Sequence, residues 1–346
     1  MRMIITRINC AFPLQCAVDN VYSVVSTWLV GRQQTVLAQL VSVKFLVACL
    51  LVASATFVHF RGQVRHRFLR QLTDHSTFIA PYNALIYLFS AVPARPILER
   101  SDFPELDLLQ DNWQLIRDEA RALYQQGHIR AADGRNDLAF NSFFKRGWTR
   151  FYLKWYNDGH PSAEELCPQT VELVRRIPTV HAAMFAVLPP RGRLGAHRDP
   201  FGGALRYHLG LDTPNSENCR IYVDGQRYAW RDGDDILFDE TYIHSVENDT
   251  DEYRIILFCD VERPIRNPIV RAINRFMINH VVKASATRNV PGEKVGFLNR
   301  IFAGVDLLGQ MFARIKAWNR TIYYTGKYLL IALLVWWLLI QPLLKA

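Results

Sequence analysis

The sequence predicts an α+β protein in which short antiparallel strands form a sandwich or barrel, with helices before and after them. Three observations lead to this class. Short β-rich runs recur between residues 143 and 264, and Asp-Gly turns separate some of them. Helical patterns precede and follow these runs. Each end of the chain also carries a long apolar stretch.

Residues 1–35 are predicted to form a disordered N-terminal extension, or to result from translation that begins upstream. Arg2 and Arg7 stand near the start, but a signal peptide needs a continuous apolar run of about 7–15 residues. Pro13 and Gln15 interrupt the stretch that follows the two arginines. We therefore do not interpret the extension as a signal peptide.

Residues 36–60 are predicted to be a transmembrane helix, because the stretch is mostly apolar and long enough for a bilayer core. A basic cluster follows it, consisting of Arg61, Arg65, Arg67 and Arg70. Basic residues favour the cytoplasmic side of a membrane, so the region after this cluster is expected in the cytoplasm. A buried core helix is the alternative interpretation of this stretch.

Residues 61–142 are predicted to be a helical cytoplasmic region. Its clearest helix is expected at 105–126, where apolar residues recur at alternating steps of three and four. These residues are Leu106, Leu109, Trp113, Ile116, Ala120 and Leu123. An apolar patch at 84–92 lies between prolines and is too short to span a membrane, so an interfacial or core helix is expected there.

Residues 143–264 contain the predicted strands. They are expected at 181–188, 205–212, 219–223, 227–230, 235–238 and 253–261. The dipeptides Asp224-Gly225 and Asp232-Gly233 are turn signals between three of them. A helix is expected at 163–176. Short strands with regular turns predict a β-sandwich or barrel for this segment.

Residues 265–327 are predicted to form a basic, amphipathic helical region. Residues 263–320 contain eleven lysines and arginines and two carboxylates. This surplus of nine positive charges equals the net charge of +9 of the whole chain. Residues 328–344 then form a second predicted transmembrane helix, at the lower limit of length for a span. Both candidate spans present a basic flank to residues 61–327, which agrees with a cytoplasmic position of that segment.

The composition excludes several classes of protein. Half of the 346 residues are hydrophobic, which excludes a largely disordered chain. The six cysteines are scattered without a CxxC pair, which argues against a disulfide framework or a structural zinc site. No nucleic-acid motif accompanies the basic clusters, so no nucleic acid is expected as a partner. An anionic membrane surface is expected instead, because both clusters lie beside apolar runs. The sequence does not indicate an oligomeric state.

Four residues have the types and spacing of a metal-dependent oxygenase site. His197 and Asp199 are two apart, so on an extended strand they face the same side, and His244 can complete a set of three ligands. Two imidazoles and one carboxylate on one face of a metal are the ligands of non-haem Fe(II) oxygenases. Arg254 follows on a strand-like run, and its guanidinium suits the far carboxylate of a 2-oxo acid. Alternatively, the histidines and the arginine are ordinary surface residues, and Asp199 is a turn former before Pro200.

Three segments resemble the aspartyl/asparaginyl β-hydroxylase family, and within it the bacterial lipid A hydroxylases. They are His197-Arg198-Asp199-Pro200-Phe201, Leu205-Arg206-Tyr207-His208-Leu209-Gly210-Leu211 and Arg254-Ile255-Ile256-Leu257-Phe258-Cys259-Asp260-Val261-Glu262-Arg263-Pro264. Residues 80–84, 151–156 and 239–244 extend the similarity. The resemblance covers residues 45–345.

The resemblance implies a double-stranded β-helix, which is a jelly-roll or cupin-like fold, for a dioxygenase domain at residues 143–264. It also implies an Fe(II) site with O2 and 2-oxoglutarate as co-substrates and with succinate and CO2 as products. The implied metal ligands are His197, Asp199 and His244. Arg254 is then expected to bind the far carboxylate of 2-oxoglutarate. Arg206 and His208 are expected to bind co-substrate or substrate, with strand packing as their alternative role.

The implied activity is 2-hydroxylation of a secondary acyl chain of lipid A at the cytoplasmic face of the bacterial inner membrane. The protein would be a multi-pass membrane protein with two helices. One alternative is a membrane-tethered peptidyl aspartyl/asparaginyl β-hydroxylase. Peptidyl members carry glycine where this chain has Asp199, which argues against that alternative. The other is a non-catalytic metal-binding jelly-roll module, against which the complete ligand set with Arg254 argues.

Overall fold

A computed structural model describes residues 22–27, 43–71, 74–131, 137, 140–156, 158–337 and 341. The chain divides into two units. One unit, Ala53–Arg314, contains both β-sheets. The other comprises Met1–Val52 and Ile315–Ala346, and it is mostly helical where it is described. Apart from the helical segment 22–27, the predicted extension 1–35 lies outside the described residues.

Eleven strands in the described residues form two antiparallel sheets. They are β1 (Ile97–Leu98), β2 (Thr149–Trp155), β3 (Asp158–Gly159), β4 (Val180–Leu188), β5 (Arg193–His197), β6 (Ala204–Asp212), β7 (Cys219–Val223), β8 (Gln226–Ala229), β9 (Asp235–Phe238), β10 (His244–Asn248) and β11 (Arg254–Glu262). The large sheet has the order β1-β9-β6-β11-β4-β2-β3, and the small sheet has the order β5-β10-β7-β8.

The strands from β4 to β11 pass back and forth between the two sheets. β4, β6, β9 and β11 belong to the large sheet, whereas β5, β7, β8 and β10 belong to the small one. Two antiparallel sheets connected in this way form a jelly roll. The remaining strands extend the large sheet at its edges, with β1 beside β9 and with β2 and β3 beyond β4.

The large sheet is covered on both faces, which explains why its strands read as continuous apolar runs. Odd-numbered residues of β6 and β11, such as Leu209 and Leu257, pack in a cluster that includes helix residues such as Ile116. Even-numbered residues, such as Ile256 and Phe258, pack between the two sheets. Because side chains alternate along a strand, other even-numbered positions of these strands also point between the sheets.

Helices flank the strands in the chain. They are α1 (Val43–Phe60), α2 (Phe68–Gln71), α3 (His75–Phe78), α4 (Ala80–Leu88), α5 (Asp107–Asp111), α6 (Trp113–Gln125), α7 (Asn141–Phe144), α8 (Pro161–Leu166), α9 (Pro168–Arg175), α10 (Pro268–Phe276), α11 (Phe297–Trp318) and α12 (Arg320–Val335). Short 3-10 helices lie at Arg100–Asp102, Pro104–Leu106 and Lys283–Ser285, and a π-helix spans Met277–Val282.

Two predicted helices are each divided in the structure. The segment 105–126 breaks at Asn112, between α5 and α6. The segment 163–176 breaks at Cys167, between α8 and α9. The second break has a local cause, because the residue before Pro168 is disfavoured in the helical conformation and the proline lacks an N–H group.

The two predicted transmembrane helices, 36–60 and 328–344, are not supported. In the described part of the chain, no helix is both long enough and apolar enough to cross a bilayer. Helix α1 has 18 residues, or about 27 Å, and residues 36–42 lie outside the described part. Helix α12 has 16 residues, or about 24 Å, and contains Lys327. A hydrocarbon core is about 30 Å thick. Residues 338–340 and 342–344 lie outside the described part.

Candidate metal centre

The structure brings His197, Asp199 and His244 together. His197 is the last residue of β5 and His244 is the first residue of β10, and the two are directly opposite in the antiparallel pair. Asp199 follows β5 and donates its backbone N–H to the carbonyl of Glu240, at 2.9 Å. One ligand atom from each of the three side chains lies within 4.8 Å of the others. Neighbouring strands therefore position the two nitrogens, and the turn after β5 positions the carboxylate.

Backbone carbonyls orient both imidazoles. Nδ1 of His197 lies 2.7 Å from the carbonyl oxygen of Gly195, and Nδ1 of His244 lies 3.0 Å from that of Tyr242. A carbonyl can only accept, so each Nδ1 must donate, and each neutral ring keeps its lone pair on Nε2. This tautomer is the one in which Nε2 can bind a metal. Burial and the neighbouring His197 lower the pKa of His244 to about 3, so its ring is neutral at physiological pH.

Arg206 holds the carboxylate ligand. Its Nη1 donates to Oδ2 of Asp199 at 3.0 Å, and its Nε donates to Oδ1 of Asp260 at 2.8 Å. Its Nη2 also pairs with the carboxylate of Glu240. Burial raises the pKa of Asp199, but the charge of Arg206 outweighs this effect and leaves that pKa below its usual value. Asp199 is therefore an oriented, ionised oxygen donor.

The charge balance of this buried cluster fits a divalent cation. Three carboxylates surround one guanidinium, which leaves a formal charge of −2. The imidazole of His244 is neutral and does not compensate for it. Buried charge without compensation is costly, and a metal dication beside Asp199 would remove the imbalance. The donor set of two imidazoles and one carboxylate also fits Fe(II).

We expect Arg206→Leu to lower the free energy of unfolding by about 3–5 kcal/mol at neutral pH, because it leaves three carboxylates without their shared cation. The difference from the native protein should shrink as the pH falls towards 4. Without Arg206 the carboxylates bind protons more readily when folded, and protonation removes their repulsion. Urea unfolding at several pH values measures both effects.

Arg220→Leu is the matched control for that variant. Arg220 also pairs with two carboxylates, Glu247 and Asp249, but on the partly exposed small sheet. Its loss should cost about 1 kcal/mol or less. Equal costs for the two variants, or a cost for Arg206→Leu that does not depend on pH, would contradict the interpretation of a buried charge cluster.

Arg254 is a buried guanidinium without an anionic partner in the described part of the chain. It is the first residue of β11 and its side chain is 2% exposed. Its Nε has no hydrogen-bond partner in the part of the chain that the structure describes, and its guanidinium carbon lies 4.2 Å from the ring centroid of Trp230. Burial lowers its pKa to about 10, so the side chain is still charged at neutral pH. Among the described residues, the site therefore holds a buried cation with no carboxylate beside it.

Arg254 lines the same cavity as His197 and His244. Arg206 and His208 line it as well, and the remaining walls are apolar or aromatic: Phe143, Trp148, Leu194, Ile221, Phe238, Val246, Ile256 and Phe258. Both ring nitrogens of His208 are buried, and neither has a hydrogen-bond partner among the described residues. Burial and the nearby Arg254 hold the pKa of His208 well below its usual value, so this histidine is neutral.

All six residues singled out from the sequence thus lie around one interior site. The carboxylates of Glu240 and Asp260, which hold Arg206, were missed. Asp260 lies opposite Arg206 in the pairing of β11 with β6, so only the strand register could have identified it. All three nitrogens of Arg206 are bound to carboxylates, so this arginine positions Asp199. The expected contact of Arg206 with co-substrate or substrate stays a prediction.

Comparison with known proteins identifies the family. Residues 110–264 match the family model of aspartyl/asparaginyl beta-hydroxylases. An ornithine lipid ester-linked acyl 2-hydroxylase of Rhizobium tropici is 32% identical over 187 residues, which cover 53% of this chain and 66% of that protein. The aspartyl/asparaginyl beta-hydroxylase of Homo sapiens is 26% identical over 199 residues, which cover 55% of this chain and 26% of that protein.

Solved structures give weaker matches. A Pseudomonas putida prolyl-4-hydroxylase aligns with a TM-score of 0.30 and 17% identity, over 44% of this chain and 87% of that chain. A cupin 2 conserved barrel domain protein from Salinispora arenicola aligns with a TM-score of 0.25 and 15% identity, over 43% of this chain and 95% of that chain. Likeness at this level carries no argument about function.

Proposed function

We propose that this chain, which belongs to the aspartyl/asparaginyl β-hydroxylase family through residues 110–264, is an Fe(II)- and 2-oxoglutarate-dependent dioxygenase of a membrane lipid. Its substrate would be an acyl chain that receives a 2-hydroxyl group. A secondary acyl chain of lipid A is the specific substrate that we propose. The matched region covers less than two thirds of the length of the relatives described above. The activity of the whole protein is therefore part of this proposal.

One observation carries the proposal: the unpaired guanidinium of Arg254 shares a cavity with both histidine ligands. A site that only bound a metal would gain nothing from a buried cation, which costs desolvation energy and repels the metal. A dicarboxylate co-substrate accounts for both features. One carboxylate, with the neighbouring oxo group, can bind the metal, while the far carboxylate pairs with Arg254.

The residues of the chain have separate tasks in this reaction. His197, Asp199 and His244 would hold the iron, and Arg206 keeps Asp199 ionised and oriented. Bound Fe(II), with O2 and 2-oxoglutarate, supplies the oxidising power that an unactivated C–H bond requires, and succinate and CO2 are released. Arg254 would fix the orientation of the co-substrate, and the aromatic and apolar walls of the cavity would exclude water.

Two observations favour a lipid over a peptide as the substrate. The Rhizobium tropici relative is an ornithine lipid ester-linked acyl 2-hydroxylase, and at 32% identity it is more similar to this chain than the human aspartyl/asparaginyl beta-hydroxylase is at 26%. The chain also has Asp199 in the group of three side chains that could hold a metal ion, whereas the family resemblance implies glycine at that position in peptidyl members.

Mass spectrometry of the lipids from cells that contain this chain, compared with cells that lack it, tests the proposal. A gain of one oxygen on a secondary acyl chain of lipid A is expected, and it should disappear in a His244→Ala control. The same extract reports ornithine lipid and phospholipids. A gain on one of those lipids would replace lipid A as the substrate. No gain on any lipid, together with hydroxylation of a peptide, would overturn the lipid assignment.

A further inference from the structure

Exposed large apolar side chains are unevenly distributed in the unit Ala53–Arg314. Between residues 89 and 268, which include both sheets, the described part of the chain contains none of them. They occur before and after that stretch: Phe57, Phe60, Val64, Phe68, Leu69, Phe78, Leu88, Ile269, Ile273, Phe276, Val281, Phe297, Ile301, Met311 and Phe312. Isolated exposed apolar residues are ordinary, but a concentration on a few elements indicates an interaction surface.

Helix α10 presents one apolar face outwards. Ile269, Ile273 and Phe276 are 70%, 40% and 58% exposed, and their spacing of four and three puts them on one side of the helix. Val270 and Asn274, on another side, are buried against the domain. The helix is thus anchored on one side and apolar towards solvent on another, which is the pattern of a helix that lies at an interface.

The end of α4 continues this face. The backbone N–H of Arg266 donates to the carbonyl of Phe89, and that of Ala91 donates to the carbonyl of Pro264, both within 2.9 Å. These bonds tie the end of α4 to the segment that leads into α10. Leu88, the last residue of α4, is 75% exposed. We refer to Leu88, Ile269, Ile273 and Phe276 as the apolar surface.

The surroundings of the apolar surface are cationic. Residues 263–292 contain six arginines and lysines and no aspartate or glutamate, although Arg263 is buried against Asp239 and Lys283 pairs with Asp158. Within the described residues, Arg266 and Arg271 make no ion pair, and Arg271 donates only to the carbonyl of Ile265. Arg275 lies 3.4 Å from Glu262 but is mostly exposed. Exposed guanidinium groups beside apolar side chains match the layered chemistry of an anionic lipid bilayer.

We infer that the apolar surface docks on a bilayer that carries anionic headgroups, with α10 lying in the interfacial layer. Ile269, Ile273, Phe276 and Leu88 enter the boundary of the acyl chains, and Arg266 and Arg271 contact headgroup phosphates. A protein partner would need to match this cationic rim with acidic residues, whereas a membrane surface supplies negative charge along its whole plane. The docking itself does not depend on the proposed reaction.

The docked helices also hold the turn that follows the metal ligand Asp199. Asn83 of α4 bonds the carbonyl of Pro200 at 2.8 Å and the N–H of Gly202 at 2.9 Å. Asn274 of α10 donates to the carbonyl of Gly203 at 3.1 Å. If the proposed function holds, this connection brings the metal centre to the lipid from which the acyl chain must come.

Tryptophan fluorescence with brominated lipids tests the docking on the full chain. Ile273→Trp places an indole on the apolar surface, and Gln126→Trp places one at the exposed end of α6. In vesicles of phosphatidylglycerol and brominated phosphatidylcholine, the indole at position 273 should lose emission relative to the native chain, whereas that at position 126 should not. Unquenched emission at position 273 on vesicle-bound protein would overturn the inference.

Vesicle co-sedimentation gives a second readout. Ile269→Asp with Ile273→Asp should weaken binding to vesicles that contain phosphatidylglycerol by about tenfold, since two apolar anchors become anions. Gln114→Asp on α6 with Gln126→Asp directly after it adds the same charge and should leave binding unchanged. Equal losses in both pairs would contradict a specific surface. So would a native dimer that dissociates in the first pair without any change in vesicle binding.

The two proposals can fail independently. The vesicle experiments require neither iron nor 2-oxoglutarate, so His244→Ala should dock as the native chain does. Docking without hydroxylation of any lipid would overturn the proposed function alone. Hydroxylation of lipid by a chain whose residue 273 stays outside the bilayer would overturn the docking surface alone.

Discussion

Replacing His244 with alanine is expected to abolish iron binding and turnover while leaving the jelly roll folded. The substitution removes one of three ligands, and no other described histidine, aspartate or glutamate joins this group within ligand distance. Loss of partners outside the ligand set alone weakens metal binding by about 10–100-fold, so loss of a ligand should exceed about 100-fold. Anaerobic titration with Fe(II) measures this affinity, and hydroxylated lipid measures turnover.

His181→Ala is the matched control for His244→Ala. His181 is also a buried histidine on a strand of the jelly roll, but it pairs with Glu262 and lies outside the metal centre. It should lose stability without losing iron affinity. If His244→Ala bound Fe(II) as tightly as the native chain, the assignment of the three ligands would be wrong.

Arg254→Met is expected to raise the KM for 2-oxoglutarate by about 30-fold or more, with little change in iron affinity. Removing one member of a buried charge pair costs about 2–5 kcal/mol of binding free energy. The methionine keeps most of the volume and loses the charge. Initial rates at varied 2-oxoglutarate concentration measure the effect. An unchanged KM would remove Arg254 from its proposed role.

The same substitution should stabilise the protein without co-substrate. Arg254 has no carboxylate partner among the described residues, so its removal should raise the free energy of unfolding by about 1–2 kcal/mol. Arg263→Met is the matched control, because Arg263 is equally buried but lies 2.7 Å from Asp239. That variant should be destabilised. If the free energy of unfolding rises for Arg254→Met and falls for Arg263→Met, the first arginine is a binding residue and the second is a structural one.

The sequence indicated most of the strands and the site residues because both depend on local patterns. The Asp-Gly turns and apolar runs predicted β7 at 219–223 and β9 at 235–238 with their observed bounds. The spacing of His197 and Asp199 and the position of Arg254 on a strand are also local features. The chemistry of these residue types then pointed to one site, in which the structure brings them together.

The remaining features depend on contacts between distant parts of the chain. The three carboxylates around Arg206 come from a turn, a loop and a neighbouring strand. Their pairing with Arg206 therefore depends on the register of the strands and not on a local sequence pattern. Likewise, the sequence contains Arg254 but cannot show that no carboxylate faces it. The predicted spans 36–60 and 328–344 are not supported in the described part of the chain, and residues 36–42, 338–340 and 342–344 lie outside that part.

The three candidate metal ligands should differ in their tolerance of mutation elsewhere in the protein. Each imidazole is oriented by a carbonyl two residues before it in the chain, and a side-chain substitution does not remove a backbone carbonyl. Asp199 instead depends on Arg206, which in turn depends on Glu240 and Asp260. Substitutions elsewhere in the protein should therefore disturb the orientation of Asp199 more readily than that of the two histidines.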